Sequence, residues 1–144
     1  DAIQNNRINA NNSRNEAGAA QEQLKITFPY NGYKCGQQLR VQGTSTKIPG
    51  KYLWVFVHRS DIMGWWPQTN AVKIRADGTW LQTVGIGQPQ DIDFEFEIKA
   101  IWLNEADHNN MVQYMRDGTK NNDWPSIELP EGSPSAIVTV TKVK

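Results

Sequence analysis

The chain has 144 residues, a length that suits one domain and excludes two full cores. Lys and Arg together number 15, as do Asp and Glu, and this balance argues against a surface that neutralises many phosphates. No apolar run approaches the roughly 20 residues of a transmembrane helix, so no membrane span is expected. A single cysteine, Cys35, excludes an internal disulfide and a cysteine-rich zinc site.

The first 23 residues differ in composition from the rest of the chain. Asparagine is frequent there, and the only large apolar residues before Leu24 are Ile3 and Ile8. Because two isoleucines cannot form a core, we predict that residues 1–23 are a polar tail or linker and that the domain spans residues 24–144. The chain does not begin with methionine, and we interpret it as part of a longer protein whose upstream region holds a membrane anchor or another domain.

From residue 24 onward the sequence predicts strands separated by turns. Apolar and polar residues alternate over 24–28, and Asn31-Gly32 follows with the pattern of a tight turn. A second short strand is predicted at 39–43. Residues 52–57 are apolar at six consecutive positions, which indicates a central strand covered on both faces.

The second half of the chain continues this pattern. Residues 62–68 contain Pro67, which cannot donate to a strand ladder, and they indicate a loop or an irregular edge. Asp77-Gly78 supplies a second hairpin turn. The clearest alternation starts at Phe94. The strands predicted in this half are 72–75, 80–86, 94–102 and 136–143.

One segment has the features of a helix. Asn104 is a candidate N-cap, apolar residues recur at helical spacing from Met111, and Gly118 is a candidate C-terminal stop. We therefore predict one short helix, at about 105–117, inserted between two strands.

These elements predict an all-β domain of about seven strands with one inserted helix. Most strands are too close in sequence for parallel crossovers, which favours an antiparallel β-sandwich. The strand order over residues 24–144 resembles the immunoglobulin-like and fibronectin type III-like modules of bacterial multidomain proteins. The segments that carry the resemblance are Ile26–Pro29 with Asn31-Gly32, Leu39–Gly43, the strand around Trp54, Asp77–Trp80 and Phe94–Trp102.

The resemblance implies an antiparallel immunoglobulin-like β-sandwich and an accessory or adhesive role in place of catalysis. The excursion from Asn104 to Pro134 is long for such modules and is a candidate location for a specific role. Because the chain has one cysteine, the disulfide of antibody domains is impossible.

Few residues suggest catalysis. His58-Arg59-Ser60-Asp61 holds the residue types of a hydrolytic triad, but adjacent residues cannot converge as a triad requires. A hydrolase would need His58 or His108 to meet Asp61 or Asp107 in a cleft, and we consider it less favoured than a binding function. No phosphate-binding loop or nucleophile elbow is present, so we predict that the chain is not an enzyme and has no cofactor.

Metal and nucleic-acid sites are also not expected. Asp91, Asp93, Glu95 and Glu97 would share one strand face but spread over about 20 Å, so we interpret them as a solvated face that discourages edge pairing. The two histidines lack the spacing of a zinc site. Basic residues are scattered and form no stripe, which argues against nucleic acid.

The six tryptophans are the most informative residues. Trp54, Trp80 and Trp102 fall within strand patterns and are predicted to be core. The other three, Trp65, Trp66 and Trp124, lie in loop-like sequence beside prolines, where flat aromatic faces suit contacts with a peptide or a sugar. Alternatively they fold back and cap the sandwich. Because Trp65 and Trp66 are consecutive, an extended segment would point one inward and one outward.

We therefore predict a non-catalytic binding or interaction module, an accessory or sensor domain of a larger bacterial protein that is membrane-tethered or secreted. The expected partner is a protein or another domain of the parent chain. Two alternatives stay open: a carbohydrate-binding module that stacks glycans on its loop tryptophans, and a purely structural spacer. The candidate binding residues are Trp65, Trp66, Gln68, Arg59, Tyr114 and Trp124.

Overall fold

The computed structural model describes residues 24–144, and the predicted tail at 1–23 lies outside them. The described residues form two sheets that pack face to face, with one helix on the outer face of the larger sheet. The helix, α1, spans Glu105–Asn121, and Pro89–Asp91 forms a short 3-10 turn. The strands are β1 (Leu24–Phe28), β2 (Tyr33–Cys35), β3 (Gln38–Ser45), β4 (Tyr52–Arg59), β5 (Trp66–Pro67), β6 (Thr79–Gly85), β7 (Glu95–Leu103) and β8 (Ser135–Lys142).

The strand order is that of an immunoglobulin fold. One sheet has the order β1-β3-β6 and the other the order β2-β8-β7-β4-β5, which corresponds to the A-B-E and G-F-C sheets of immunoglobulin domains. The predicted all-β, immunoglobulin-like sandwich with one inserted helix is confirmed. One pair departs from the antiparallel pattern: β2 runs parallel to β8, because the chain leaves β1 at a turn and crosses to the other sheet before it enters β3.

The inner faces of the two sheets enclose the main core. Leu53, Val55 and Ile98 of the larger sheet are fully buried there against residues of the smaller sheet. Trp80 lies across Gly43, where an added Cβ would come within 2.2 Å of the indole ring, so only glycine leaves room for it. The prediction that Trp54, Trp80 and Trp102 are core residues is confirmed, since each is at most 2% exposed.

The outer face of β4 and β7 is apolar as well, and α1 covers part of it. Trp54 and Phe56 are fully buried there in a second cluster, completed by Trp65, Ile101, Leu103 and Met111. The run of consecutive apolar residues in β4 is thus explained, because successive side chains enter the two different clusters. The prediction that this strand is covered on both faces is confirmed.

The helix is longer than predicted. Its start agrees with the sequence, because Asn104 accepts a hydrogen bond from the backbone N–H of Asp107 at 2.8 Å. Gly118 does not end it: the helix continues to Asn121, and Asn122 caps it in the left-handed conformation with φ 49°. Gly118 is instead a packing position, where an added Cβ would lie 2.2 Å from the ring of Trp124.

Two predicted strands differ in the structure. Residues 72–75 form no strand, and only Val72 makes an isolated bridge, to Leu53. Strand β7 begins one residue after Phe94, because Asp93 adopts a left-handed φ of 76° and its N–H donates to the backbone oxygen of Lys142. Phe94 therefore leaves the core-facing row and is 40% exposed.

Candidate functional site

An open groove of about 560 Å³ runs along the β5 edge of the larger sheet. Its lining residues come from β4, β5 and β7, from residues 85–91 at and after the end of β6, and from α1 and the segment after it. We call it the aromatic groove. Its large apolar side chains are Ile62, Trp66, Pro67, Phe96, Met115 and Trp124.

Five of the six predicted binding residues line this groove. Arg59 comes from the end of β4, Trp66 and Gln68 come from β5 and the residue after it, Tyr114 comes from α1, and Trp124 follows α1. The tertiary structure thus brings together residues that lie as far apart as positions 59 and 124 in the sequence. That they bind a ligand stays a prediction.

Trp65 is placed elsewhere, and its assignment as a contact residue requires correction. It is 9% exposed and stacks on the imidazole of His58, with 3.5 Å between the ring centroids. Its backbone N–H and C=O both pair with Ile127, which ties the segment after α1 to the sheet. Because consecutive side chains of an extended segment point in opposite directions, Trp65 enters the second cluster and Trp66 faces the groove.

The part of the groove that follows α1 is built around Trp124. Its indole ring rests on Gly118 and lies 6.0 Å from the ring of Tyr114, at an interplanar angle of 56°. The indole N–H of Trp66 donates to the backbone oxygen of Trp124 at 2.7 Å, and the Tyr114 hydroxyl donates to the backbone oxygen of Pro125 at 2.7 Å. Burial raises the pKa of the Tyr114 hydroxyl, and the negative charge of Asp123 raises it further.

Arg59 is held inside a small ionic cluster. Its Nε donates to Asp61 at 2.6 Å and its Nη1 donates to Asp91 at 3.0 Å, while its guanidinium lies 4.0 Å from the ring centroid of Phe94. The hydrogen bond with Asp61 is the largest of the effects that raise the Arg59 pKa above its usual value. With two carboxylates already bound, this guanidinium has little attraction left for an anionic ligand.

Gln68 connects the two sheets at this edge by hydrogen bonding. Its Oε1 accepts a hydrogen bond from the N–H of Gly85 at 2.9 Å, and its amide nitrogen donates to the backbone oxygen of Trp66 at 3.1 Å. Gln68, Arg59 and Tyr114 all line the groove, yet each already makes at least one hydrogen bond within the protein. The groove therefore offers a ligand mainly apolar and aromatic surface.

The histidines do not meet the aspartates that a hydrolase would need. His58 lies 2.7 Å from a carboxylate oxygen of Glu97, and its other ring nitrogen lies 3.2 Å from the backbone oxygen of Gly64. His108 stacks on Tyr52 and accepts a hydrogen bond from the indole of Trp54 at 3.0 Å. Burial lowers the pKa of His108, which keeps its ring neutral and able to accept that bond.

The predicted row of carboxylates also differs in the structure. Asp91 lies in the 3-10 turn and Asp93 in a left-handed residue, so only Glu95 and Glu97 belong to β7. Since β7 lies between β4 and β8, protection of a sheet edge cannot be the function of these charges. Within residues 24–144 no group of three or more His, Cys, Asp or Glu side chains is arranged to hold a metal ion. None of the helices described there is long and apolar enough to span a bilayer.

Sequence reasoning missed several lining residues. Phe96 and Met115 belong to the periodic patterns of β7 and α1, which indicated burial and gave no sign of a groove. Four further apolar residues in or near the lining segments were not predicted to be exposed: Phe94 was assigned to a strand, and single apolar residues in loops, such as the other three, are common. They are Ile62, Met63, Ile92 and Phe94, and all four are exposed.

No family model matches the chain, and no curated protein sequence matches it. Among solved structures it is similar to the titin M3 domain, with 12% identity, 84% of this chain and 97% of that chain covered, and a TM-score of 0.37. It is similar to a chain in a structure on T cell specificity and activation by the bacterial superantigen toxic shock syndrome toxin-1, with 10% identity, coverage of 83% and 98%, and a TM-score of 0.38.

A further similarity is to a twitchin kinase fragment from C. elegans, which comprises an autoregulated protein kinase and immunoglobulin domains. The identity is 13%, the match covers 86% of this chain and 22% of that chain, and the TM-score is 0.32. At these values the similarities carry no information about function, and the fold class follows from the strand order.

Proposed function

We propose that the chain is a non-catalytic interaction module that binds a protein partner through the aromatic groove. The observation that carries this proposal is the concentration of exposed apolar side chains around the groove. Of the eight exposed large apolar residues in the described chain, Ile62 and Trp124 line the groove and Phe94 contacts its lining residue Arg59. Two more, Met63 and Ile92, are sequence neighbours of lining residues. Contiguous exposed apolar surface with aromatic anchors is typical of protein interfaces.

The polar groups of the groove favour a protein over a glycan. A sugar is recognised by stacking together with hydrogen bonds to its hydroxyl groups, and those bonds need free donors and acceptors. The side chains of Trp66, Gln68, Tyr114 and Arg59 already donate or accept within the protein. We therefore propose the carbohydrate-binding module only as the second candidate, supported by the half-exposed rings of Trp66 and Trp124. A role as an accessory domain that residues 1–23 link to a longer chain is part of the same proposal.

The test is a selection of random 12-residue peptides displayed on phage against the immobilised full chain. We expect enriched peptides whose affinity falls at least about tenfold with Trp66→Ala, because truncation of an aromatic anchor removes a large buried contact. The matched control is Tyr30→Ala, which removes an exposed aromatic ring that does not line the groove. Ile62→Ser is a second groove variant for the case that Trp66→Ala unfolds, which circular dichroism would reveal.

Two outcomes would contradict the proposal. The first is that enriched peptides lose the same affinity with Tyr30→Ala as with Trp66→Ala and Ile62→Ser. The second is that a glycan panel shifts the tryptophan fluorescence while no peptide is enriched, which would favour the carbohydrate-binding module.

A further inference from the structure

The loops around the aromatic groove carry an unusual share of the negative charge. The three segments 59–68, 85–97 and 122–126 contain six of the chain's 15 acidic residues but only one of its 15 lysines and arginines, Arg59. Since the whole chain is neutral, these three segments carry a net negative charge and the rest of the sequence carries a net positive charge. We call the six carboxylates the acidic rim: Asp61, Asp91, Asp93, Glu95, Glu97 and Asp123.

Three of the six carboxylates have no salt-bridge partner within the described residues. Arg59 binds Asp91 and Asp61, and His58 lies against Glu97. The salt bridges within residues 24–144 include none to Asp93, Glu95 or Asp123, and all three are exposed. The ammonium of Lys142 is fully buried behind the rim, where it donates to Gln37 and to the backbone oxygen of Gln88.

Acidic and apolar side chains alternate along the rim. Ile62 and Met63 follow Asp61, and Ile92 and Phe94 stand between acidic neighbours in the sequence. Neither kind of side chain alone identifies a ligand, but the combination is complementary to a segment that carries both cationic and apolar residues. An anionic membrane surface would be repelled by the same carboxylates.

Addition of a strand to the sheet edge is disfavoured. The edge strand β5 has only two residues, and Pro67 has no backbone N–H to donate to an incoming strand. Trp65, just before it, already pairs with Ile127. An occupant of the groove therefore has to bind through its side chains, which makes the chemistry of those side chains decisive.

We infer that the aromatic groove and the acidic rim together bind a cationic amphipathic segment of a partner protein. This inference rests on the proposed function and adds the chemistry of the partner. Lysine or arginine side chains of the segment lie against the exposed carboxylates, and its apolar side chains enter the groove beside Trp66 and Trp124.

The experiment uses the peptides enriched in the selection on the full chain. We expect an excess of Lys and Arg over Asp and Glu, together with apolar residues, and a Kd that rises about threefold to tenfold between about 0.05 M and about 0.5 M NaCl. The rim variant is Asp93→Asn/Glu95→Gln. Both replacements keep the side-chain shape, and asparagine tolerates the left-handed backbone at position 93.

The control variant, Glu128→Gln/Glu131→Gln, removes the same charge from exposed residues outside the groove. We expect the rim variant to raise the Kd about threefold to tenfold and the control variant less than about twofold. Equal losses in both variants would mean attraction by overall charge only, and would overturn the inference.

Other results separate the two proposals. Peptides that depend on Trp66 but carry no cationic excess would overturn this inference and leave the proposed function intact. Binding of the full chain to phosphatidylserine vesicles, with loss in the Met63→Ser variant, would assign the rim to a membrane and overturn it. A synthetic peptide of residues 1–23 is tested in the same way. If it binds the chain more tightly than the selected cationic peptides, the groove is assigned to the protein's own segment and the inference is overturned.

Discussion

The two faces of the five-stranded sheet are covered in different ways. The inner face packs against the whole smaller sheet, and Leu53, Val55 and Ile98 are completely excluded from solvent. The outer face packs against α1, the segment after it and the side chains of Trp65 and Ala71, and its buried cluster is much smaller. A second sheet covers the whole face of the sheet that it packs against. A single helix covers only part of such a face.

The functional candidates lie at the β5 edge of this sheet, where Val57 and Phe96 of the inner core and residues of α1 line the same groove. Where α1 ends its contact with the sheet, Trp66, Tyr114 and Met115 are left half-buried and Trp124 is 39% exposed. The two faces thus differ in how completely they are covered, and the candidate groove lies at the sheet edge between them. Three substitutions test whether the outer face and the groove beside it depend on α1 in this way.

The largest effect is expected from truncation of the outer cluster. Phe56 is fully buried beneath α1, so Phe56→Ala should lower the free energy of unfolding by about 3–5 kcal/mol. Its neighbour Val55 faces the inner core, and Val55→Ala should lower it by about 2 kcal/mol. Urea unfolding measures the free energy of unfolding of both variants. The control is Ile137→Ala, at a half-exposed position on β8, which should change that free energy by about 0.5 kcal/mol or less. A loss below about 1 kcal/mol for Phe56→Ala would show that the outer cluster is only loosely packed.

A smaller effect is expected where the helix supports the groove. In Gly118→Ala the new methyl group would collide with the ring of Trp124, although alanine favours a helix interior by about 1 kcal/mol over glycine. We expect a net loss of about 1 kcal/mol and greater quenching of tryptophan fluorescence by acrylamide as the ring moves outward. Asn109→Ala, on the exposed face of α1, is the control and should leave the quenching unchanged. Higher stability with unchanged quenching in Gly118→Ala would mean that Trp124 does not depend on this glycine.

The smallest effect is a pH dependence of the outer cluster. Burial holds the pKa of His108 below its usual value of about 6.5, so the folded state binds a proton there less readily than the unfolded state. The contribution of His108 to the free energy of unfolding is therefore fully present above about pH 6.5 and decreases as the pH falls below that value. Urea unfolding between about pH 7.5 and about pH 5 should show a steeper decline for the native chain than for His108→Gln. If the free energy of unfolding falls equally with pH in the native chain and in His108→Gln, His108 contributes nothing to the decline.

Much of the fold was accessible from local sequence patterns. The alternation in β1 and β3, the apolar run of β4 and the N-cap at Asn104 all predicted elements that the structure contains. The errors arose where tertiary contacts changed a local preference. Gly118 continues a helix because Trp124 needs the space beside it, and Phe94 leaves its strand because Asp93 turns left-handed to bond Lys142.

The candidate site was accessible only in part. Tryptophans in loop-like sequence indicated Trp66 and Trp124, but no periodic pattern distinguished Trp66 from the buried Trp65. The choice between them depends on which face of the sheet the segment presents to His58. The exposed apolar residues of the rim gave no signal, because their meaning comes from their being neighbours in space.

Patterns of neighbouring residues were sufficient to specify two sheets of short strands and one amphipathic helix, because alternation, turns and caps act over a few residues. The groove required the folded chain. Arg59, Trp66, Tyr114 and Trp124 come from different elements, and their separation is set by how α1 lies across the larger sheet. That placement results from packing of Trp54, Phe56 and Met111 over the whole outer face, a balance that no local stretch of sequence contains.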